Sequence, residues 1–448
     1  MKALASVIAS WCGGRLIGPD VMVEGVSQDS RTLPQAGLFV ALRGERQDGH
    51  DYVAAVIGLA AAALVERERA VDLPQIVVDN TETALQRIAS AWLTRIGPTV
   101  VALTGSNGKT TTKTLTAAIL ARAGTTHATP GNYNNEIGVP LTLLGLRAEH
   151  RYAVVEMGCG KPGDIDLLAS IAPPHAAVVT NVGAAHLERL GSLSGVAEAK
   201  AGIYRGLRPE GIAIINADDA YADYFRAQAG DHQRVEFAID AAAAVRAEDL
   251  MIGQASRFRL CTPAGSCAIE LPLPGRHNVM NALAAAALAQ AVGASLSDIA
   301  EALATVEAVS GRLRRLQLQG GVLYDDSYNA NPGSLAAAIG TLALEPSPRW
   351  LILGDMAELG PEAPRWHAEC GLLARDQGIE RLYTCGPLAQ AAAQAYGPQA
   401  SHHSSIESLI DTLRADWRPG TTALVKGSRS ARMERVVAGL SGNNGGHH

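Results

Sequence analysis

The chain has 448 residues, 47% of them apolar and 18% charged, with a net charge of −6. That length predicts about three domains, and the composition excludes a disordered, highly charged protein. Without a basic excess to neutralise phosphates, a nucleic-acid binder is disfavoured, although a small anionic ligand needs only a local cluster of donors.

The first residues, Met1 to Gly14, read as a short amphipathic helix. Their apolar run is short, bulky Trp11 precedes Cys12, and no small-residue cleavage pattern follows, so a signal peptide is not indicated. Gly37 to Leu42 has the content of a strand, Tyr52 to Glu66 reads as an Ala-rich helix, Gln75 to Val78 as a strand and Ala84 to Thr94 as a helix. The longest apolar run, Val53 to Val65, falls short of the ~20 residues a bilayer span needs. A cytoplasmic protein without a membrane span is expected. Gly97-Pro98 breaks the chain and marks a first boundary.

From Thr99 the pattern becomes apolar strand, glycine turn, helix. Val100 to Leu103, Tyr152 to Glu156, Ala176 to Thr180 and Gly211 to Ile215 are continuous apolar runs, as strands buried on both faces of a parallel sheet require. Beyond Arg312 the alternation restarts, with strands expected at Val322 to Tyr324, Trp350 to Leu353, Arg381 to Thr384 and Thr422 to Val425. A Rossmann-like domain fits this stretch, although no G-x-G-x-x-G opens it. The reading is an α/β chain of three domains, 1–97, 98–313 and 314–448, ending in a polar tail (Gly442 to His448) expected to be disordered. Cys12, Cys159, Cys261, Cys267, Cys370 and Cys385 form no C-x-x-C pair and read as buried small hydrophobes of a reducing compartment.

The strongest chemical signal is Thr104-Gly-Ser-Asn-Gly-Lys-Thr-Thr111, between a strand and a helix running from Lys109 to about Arg122. Gly105 and Gly108 let backbone amides of Ser106, Asn107 and their neighbours approach a triphosphate. The helix N-terminus adds partial positive charge. Lys109 can reach the β- and γ-phosphates, and Thr110 and Thr111 carry hydroxyls, that of Thr110 placed for Mg²⁺. Leu103 stands where the full phosphate-loop pattern has glycine, so this is the shortened form. A plain Gly-rich turn is the lesser alternative, and ATP binding is expected.

Other residues are ambiguous alone. Glu156 ends a strand near the loop, where a carboxylate can hold a metal, or simply meets solvent. His186 follows another strand and, alone, is more readily structural than a ligand. Lys200, in a helical run, reads by itself as a surface lysine. Asn132, Asn134 and Asn135 can bond a polar substrate or serve as turn residues with equal ease.

Together, the phosphate loop, Pro130-Gly-Asn-Tyr-Asn-Asn-Glu-Ile-Gly-Val-Pro140, Tyr324-Asp-Asp-Ser-Tyr-Asn-Ala-Asn-Pro332, Gly354-Asp-Met-Ala-Glu-Leu-Gly360 and Val425-Lys-Gly-Ser-Arg-Ser430 resemble the ATP-dependent Mur ligases of peptidoglycan precursor synthesis. The resemblance covers nearly the whole chain. It implies a UDP-sugar-binding domain, a central ATPase domain and a Rossmann-like third domain. The segments outside the phosphate loop are most similar to those of the branch that adds D-alanyl-D-alanine to UDP-MurNAc-tripeptide, working as a monomer.

The resemblance further implies Asp29-Ser30-Arg31 as part of the uridine module and Asn278 as an adenine contact. Arg312 and Asp326 would close on the nucleotide. Two Mg²⁺ sites are implied, with Thr110, Glu156, His186 and a carbamylated Lys200 as ligands. Carbamylation needs a neutral amine, hence a depressed lysine pKa. Lys426, Ser428 and Arg429 are candidates for the dipeptide carboxylate. A hinge near Gly311-Arg312 and an open resting form are expected. Without the resemblance, Gly275-Arg-His-Asn278 is a plain helix entry, and Arg312 joins Arg314 and Arg315 in a solvated basic cluster. The competing readings are a sister ligase such as folylpolyglutamate synthase, a nucleotide-driven switch or motor, and a non-catalytic UDP-sugar binder with a vestigial loop.

Overall fold

Apolar strand runs assemble three main sheets in the computed structural model, which describes residues 1–44, 46–318 and 320–442. The predicted tail, including His447 and His448, lies outside the described residues from position 443 onward. The first sheet has five strands in the order Arg15–Ile17, Gln75–Val77, Ala60–Val65, Gly37–Val40, Val26–Ser27. Helices Ala5–Cys12 and Thr81–Ile96 contribute Ile8, Leu85, Ile88 and Trp92 to the core that joins it to the next sheet.

That second sheet has nine strands. Six of them, in the order Gln233–Ala238, Ile212–Asn216, Ala176–Val179, Thr99–Thr104, Tyr152–Glu156 and Thr126–Ala128, are mutually parallel. Val245–Ile252 extends it in parallel, and Ser256–Thr262 and Gly265–Leu271 follow through two antiparallel pairings. Full burial of Val100 to Leu103 and of Ala176 to Val178 explains why these strands lack polar alternation. Helices Lys109–Ala123 and Arg276–Ala291 cover one face through Leu115, Ile119, Leu283 and Leu288.

The third sheet runs Arg314–Leu318, Gly321–Asp326, Thr422–Lys426, Arg349–Gly354, Arg381–Cys385, Ala400–His403, parallel apart from its first pair. Glu156, Asp326 and Lys426 are the last residues of parallel strands from two different sheets, and all three line one cavity. Ligands bind at the carboxyl ends of such strands.

The sequence reading of a helix over Tyr52 to Glu66 is overturned. Gly49–Val56 is a 3₁₀ segment and Ala60–Val65 is a strand between two parallel neighbours. Alanine's helix preference gives way here because a central strand buries Ala62 to Val65 completely. Cys267 also departs from expectation, being half-buried on a strand, whereas the other five cysteines are buried; all six are free thiols. Among the described residues, no helix is long and apolar enough to cross a membrane.

Candidate active site

The phosphate loop follows strand Thr99–Thr104 and opens helix Lys109–Ala123 at Gly108, whose φ of 78° places it in the left-handed region. A Cβ on Gly105 would overlap Thr180 Oγ1, and one on Gly108 would overlap Asn281 Oδ1, so only glycine fits at either position. The loop is braced from behind. Asn181 O accepts from the Ser106 amide at 3.0 Å, Asn181 Oδ1 accepts from the Asn107 amide at 2.9 Å, and Thr180 Oγ1 donates to Asn107 O at 2.6 Å. Lys109 Nζ folds back onto Gly105 O at 2.7 Å. Burial lowers its pKa, Glu156 works against that shift, and Arg312 adds to it.

Glu156 is 2% exposed and its carboxylate is heavily engaged. Thr110 Oγ1 donates to Oε2 at 3.0 Å and Asn134 Nδ2 donates to Oε1 at 2.8 Å. Lys113 Nζ lies 3.4 Å from Oε2 and donates to Gly131 O at 2.9 Å. The asparagine run therefore divides its labour: Asn134 bonds Glu156, while Asn135 Oδ1 accepts from the amide of Gly138, the first residue of helix Gly138–Leu144. Asn132, Asn134 and Asn135 all line the cavity, as do Ser106, Asn107 and Thr111.

Lys200 corrects the surface-lysine reading. It sits in helix Leu193–Arg205 and is 1% exposed. Burial drags its ammonium down to about 7, Lys109 adds to the shift, and the Cys159 thiol opposes it weakly. Helical periodicity alone cannot reveal this, because the face carrying Lys200 is buried by tertiary packing. His186 has a φ of 56°, opens the turn Leu187–Leu190, and places Nδ1 2.5 Å from Glu358 Oε2.

Across the cleft, Arg312 Nη2 donates to Thr110 Oγ1 at 2.8 Å, and its guanidinium stacks 4.6 Å from the centre of the Tyr328 ring. Arg312 thus leaves the solvated cluster to Arg314 and Arg315, which are exposed. Asn331 Nδ2 donates to Asn107 Oδ1 at 2.7 Å. Both bonds run one way, from Arg312 and Asn331 to acceptors at the phosphate loop, and they hold the cleft bridged where an open form was expected. At the predicted hinge, Gly311 has φ 72° and Leu313 φ 54°, with the Leu313 amide donating to Asp326 Oδ1 at 3.2 Å.

Asp326 is buried and receives Lys426 Nζ at 2.5 Å; burial raises its pKa against the pull of that ammonium. Lys426 also donates to Asn329 O at 3.0 Å, and Ser428 Oγ donates to Asp355 O at 2.7 Å. Of the three candidates for a substrate carboxylate, these two are already committed to internal partners. Arg429 remains exposed, 3.6 Å from Glu434 and 5.7 Å from the Tyr328 ring. Asn278 is buried at the cavity wall with Nδ2 donating to Pro274 O at 2.7 Å. The structure does not bring Ser30 and Arg31 to this cavity: Arg31 grips Asp29 on the surface and holds that carboxyl at about 2.

The cavity has a volume of about 1090 Å³. Sequence reasoning missed Lys113, Glu358, Tyr328 and His277. Lys113 stands one turn beyond Thr110 and His277 adjoins Asn278, so motif neighbours gave a usable signal. His277 is held down at about 4 by burial and by Lys426. Among the described residues no group of three His, Cys, Asp or Glu side chains is poised to hold a metal. The nearest approach is the hard-oxygen pair of Thr110 and Glu156.

Residues 103–289 match the model of the Mur ligase middle domain, and residues 311–429 that of the Mur ligase glutamate ligase domain. The chain is 46% identical to the UDP-N-acetylmuramoyl-tripeptide–D-alanyl-D-alanine ligase of Escherichia coli strain K12, covering 96% of each. A crystal structure of MurF from Acinetobacter baumannii superposes with a TM-score of 0.93 at 34% identity over 99% of both chains. MurF ligase from Thermotoga maritima in complex with ADP gives a TM-score of 0.85 at 27% identity, over 94% of this chain and 98% of that one.

Proposed function

The chain belongs to the Mur ligase family, and from that premise we propose that it joins D-alanyl-D-alanine to UDP-MurNAc-tripeptide in peptidoglycan precursor synthesis, driven by ATP. The observation that carries the proposal is the single cavity in which the phosphate loop, the asparagine run and the ends of strands Gly321–Asp326 and Thr422–Lys426 converge. The reading divides the chain at 97/98 and 313/314. It takes one chain per active site, acting in the cytoplasm.

In the first step an oxygen of the tripeptide's terminal carboxylate attacks the γ-phosphorus of ATP, the bond from that phosphorus to the ADP oxygen breaks, and an acyl phosphate forms. Two anions must meet, so the residues' task is positioning and charge compensation. Lys109, released from Gly105 O, reaches the phosphates, while Arg312 approaches from the hinge. Asn278 is assigned to the adenine end and Asp326 to holding the hinge. In the second step the dipeptide amine attacks the acyl carbon, phosphate leaves with its bridging oxygen, and the amine's proton passes to solvent. Arg429 is the cation left for the dipeptide carboxylate. Asn132 and Asn134 face the sugar-peptide substrate, and Ser30 and Arg31 its uridine end.

Two Mg²⁺ ions belong to this reading, one held by Thr110 and Glu156, the other by His186 and a carbamylated Lys200. The donors suit them: a hydroxyl beside a carboxylate, and a buried amine whose lowered pKa leaves it free to attack CO₂, forming an N–C bond and shedding one proton. When bound, the ions neutralise phosphate oxygens.

A coupled assay of ADP release tests the proposal. Release is expected only with UDP-MurNAc-tripeptide present, and sustained only when D-alanyl-D-alanine is added. An unchanged rate with neither peptide partner would return the chain to the switch or motor class.

A further inference from the structure

Two residues of unusual backbone geometry face each other across the cleft. His186 (φ 56°) and Glu358 (φ 62°) both occupy the left-handed region that non-glycine residues rarely adopt. Nδ1 of His186 lies 2.5 Å from Oε2 of Glu358, and two residues further on the Glu188 amide donates to Glu358 O at 3.3 Å. Both side chains line the main cavity.

As a stabilising device this pair is poor. The side chains are 30% and 46% exposed, and an ion pair so wet contributes little to stability. Strained backbone on both sides of such a weak contact is better explained by what it orients. We propose that Glu358 is a positioning residue for His186. Its carboxylate accepts the Nδ1 proton, fixes the ring plane, and leaves Nε2 as the nitrogen available to a ligand. A carboxylate behind a metal-binding histidine is a general device for setting the tautomer and raising basicity. Here the carboxylate arrives from the opposite domain, so His186 is correctly set only while the cleft is closed around Glu358. Arg189 also acts on Glu358, its charge helping to keep that carboxyl below the usual carboxylate range. This inference rests on the assignment of His186 to the nucleotide and metal site.

The test compares Glu358→Ala, Glu358→Gln, His186→Ala and the double alanine variant of the full chain. Mn²⁺, a paramagnetic stand-in for Mg²⁺, is titrated with ADP present and followed by electron paramagnetic resonance, beside steady-state kinetics. Glu358→Ala is expected to weaken Mn²⁺ binding and lower kcat by about 10- to 100-fold, with the KM for UDP-MurNAc-tripeptide changed less than about twofold. Glu358→Gln, whose carbonyl still accepts from Nδ1, is expected to recover most of both. Adding Glu358→Ala to His186→Ala should cost nothing further, because the group being positioned is gone. The inference is overturned if Glu358→Ala leaves Mn²⁺ affinity and kcat within about twofold of the parent, or if the two losses multiply in the double variant. Failure of the ligase reading is seen separately, in a parent protein that releases ADP without its peptide partners.

Discussion

Lys200 and Lys426 are both almost fully buried, at 1% and 3% exposure, yet they are opposite kinds of residue. Lys426 ends a strand of the third sheet with Asp326 Oδ2 at 2.5 Å and a backbone carbonyl at 3.0 Å, so its charge is answered on the spot. Lys200 has another lysine and a thiol as the groups acting on it, and its ammonium is pulled down to about 7. A buried cation with a partner is architecture. One without a hydrogen-bond or ion-pair partner among the described residues, as Lys200 is, is held close to neutrality and is available for chemistry.

The largest effect that could break this contrast is on folding. Lys426→Met strands the buried Asp326 carboxylate and should lower stability by about 3 kcal/mol or more, read by urea denaturation. Adding Asp326→Leu should return a good part of that loss, and no recovery would mean that Lys426 is not structural. Lys200→Ala should behave the other way, keeping the fold while kcat drops by about 100-fold, with partial rescue by formate or acetate supplying the missing carboxylate oxygens. Normal turnover in that variant would remove Lys200 from the site.

A third test of the contrast is a pH dependence. An unfolded chain keeps the Lys200 proton up to the usual lysine range, whereas the folded chain keeps it only up to about pH 7. Between those limits the unfolded state binds more protons, so this residue's penalty on stability shrinks as pH rises. In bicarbonate-depleted buffer, Lys200→Met should melt above the parent protein at pH 7, and the gap should close toward pH 10. A constant gap would show that the buried amine does not titrate in that window.

What the sequence made legible follows the range of the interactions. The phosphate loop was readable because Gly105 and Gly108 answer to backbone geometry set within a few residues. The buried strands Val100 to Leu103 and Ala176 to Val179 announced themselves by unbroken apolar runs. Ala60–Val65 did not, since an alanine run is helical by local preference and becomes a strand only through its two neighbours in the sheet. The partnerships of Glu358 with His186 and of Asn331 with Asn107, the latter 224 residues apart, had no local signature at all. The commitments of Lys426 and Ser428 were hidden for the same reason: Val425-Lys-Gly-Ser-Arg-Ser430 shows that donors are present, not which are already spoken for.

Arg312, at the hinge, and Asn331, beyond it, each donate to the phosphate loop. On the proposed reading a nucleotide seated there would lie between two bodies, and spent ADP would leave when they separate. Product departure would then be a natural pacemaker for the cycle.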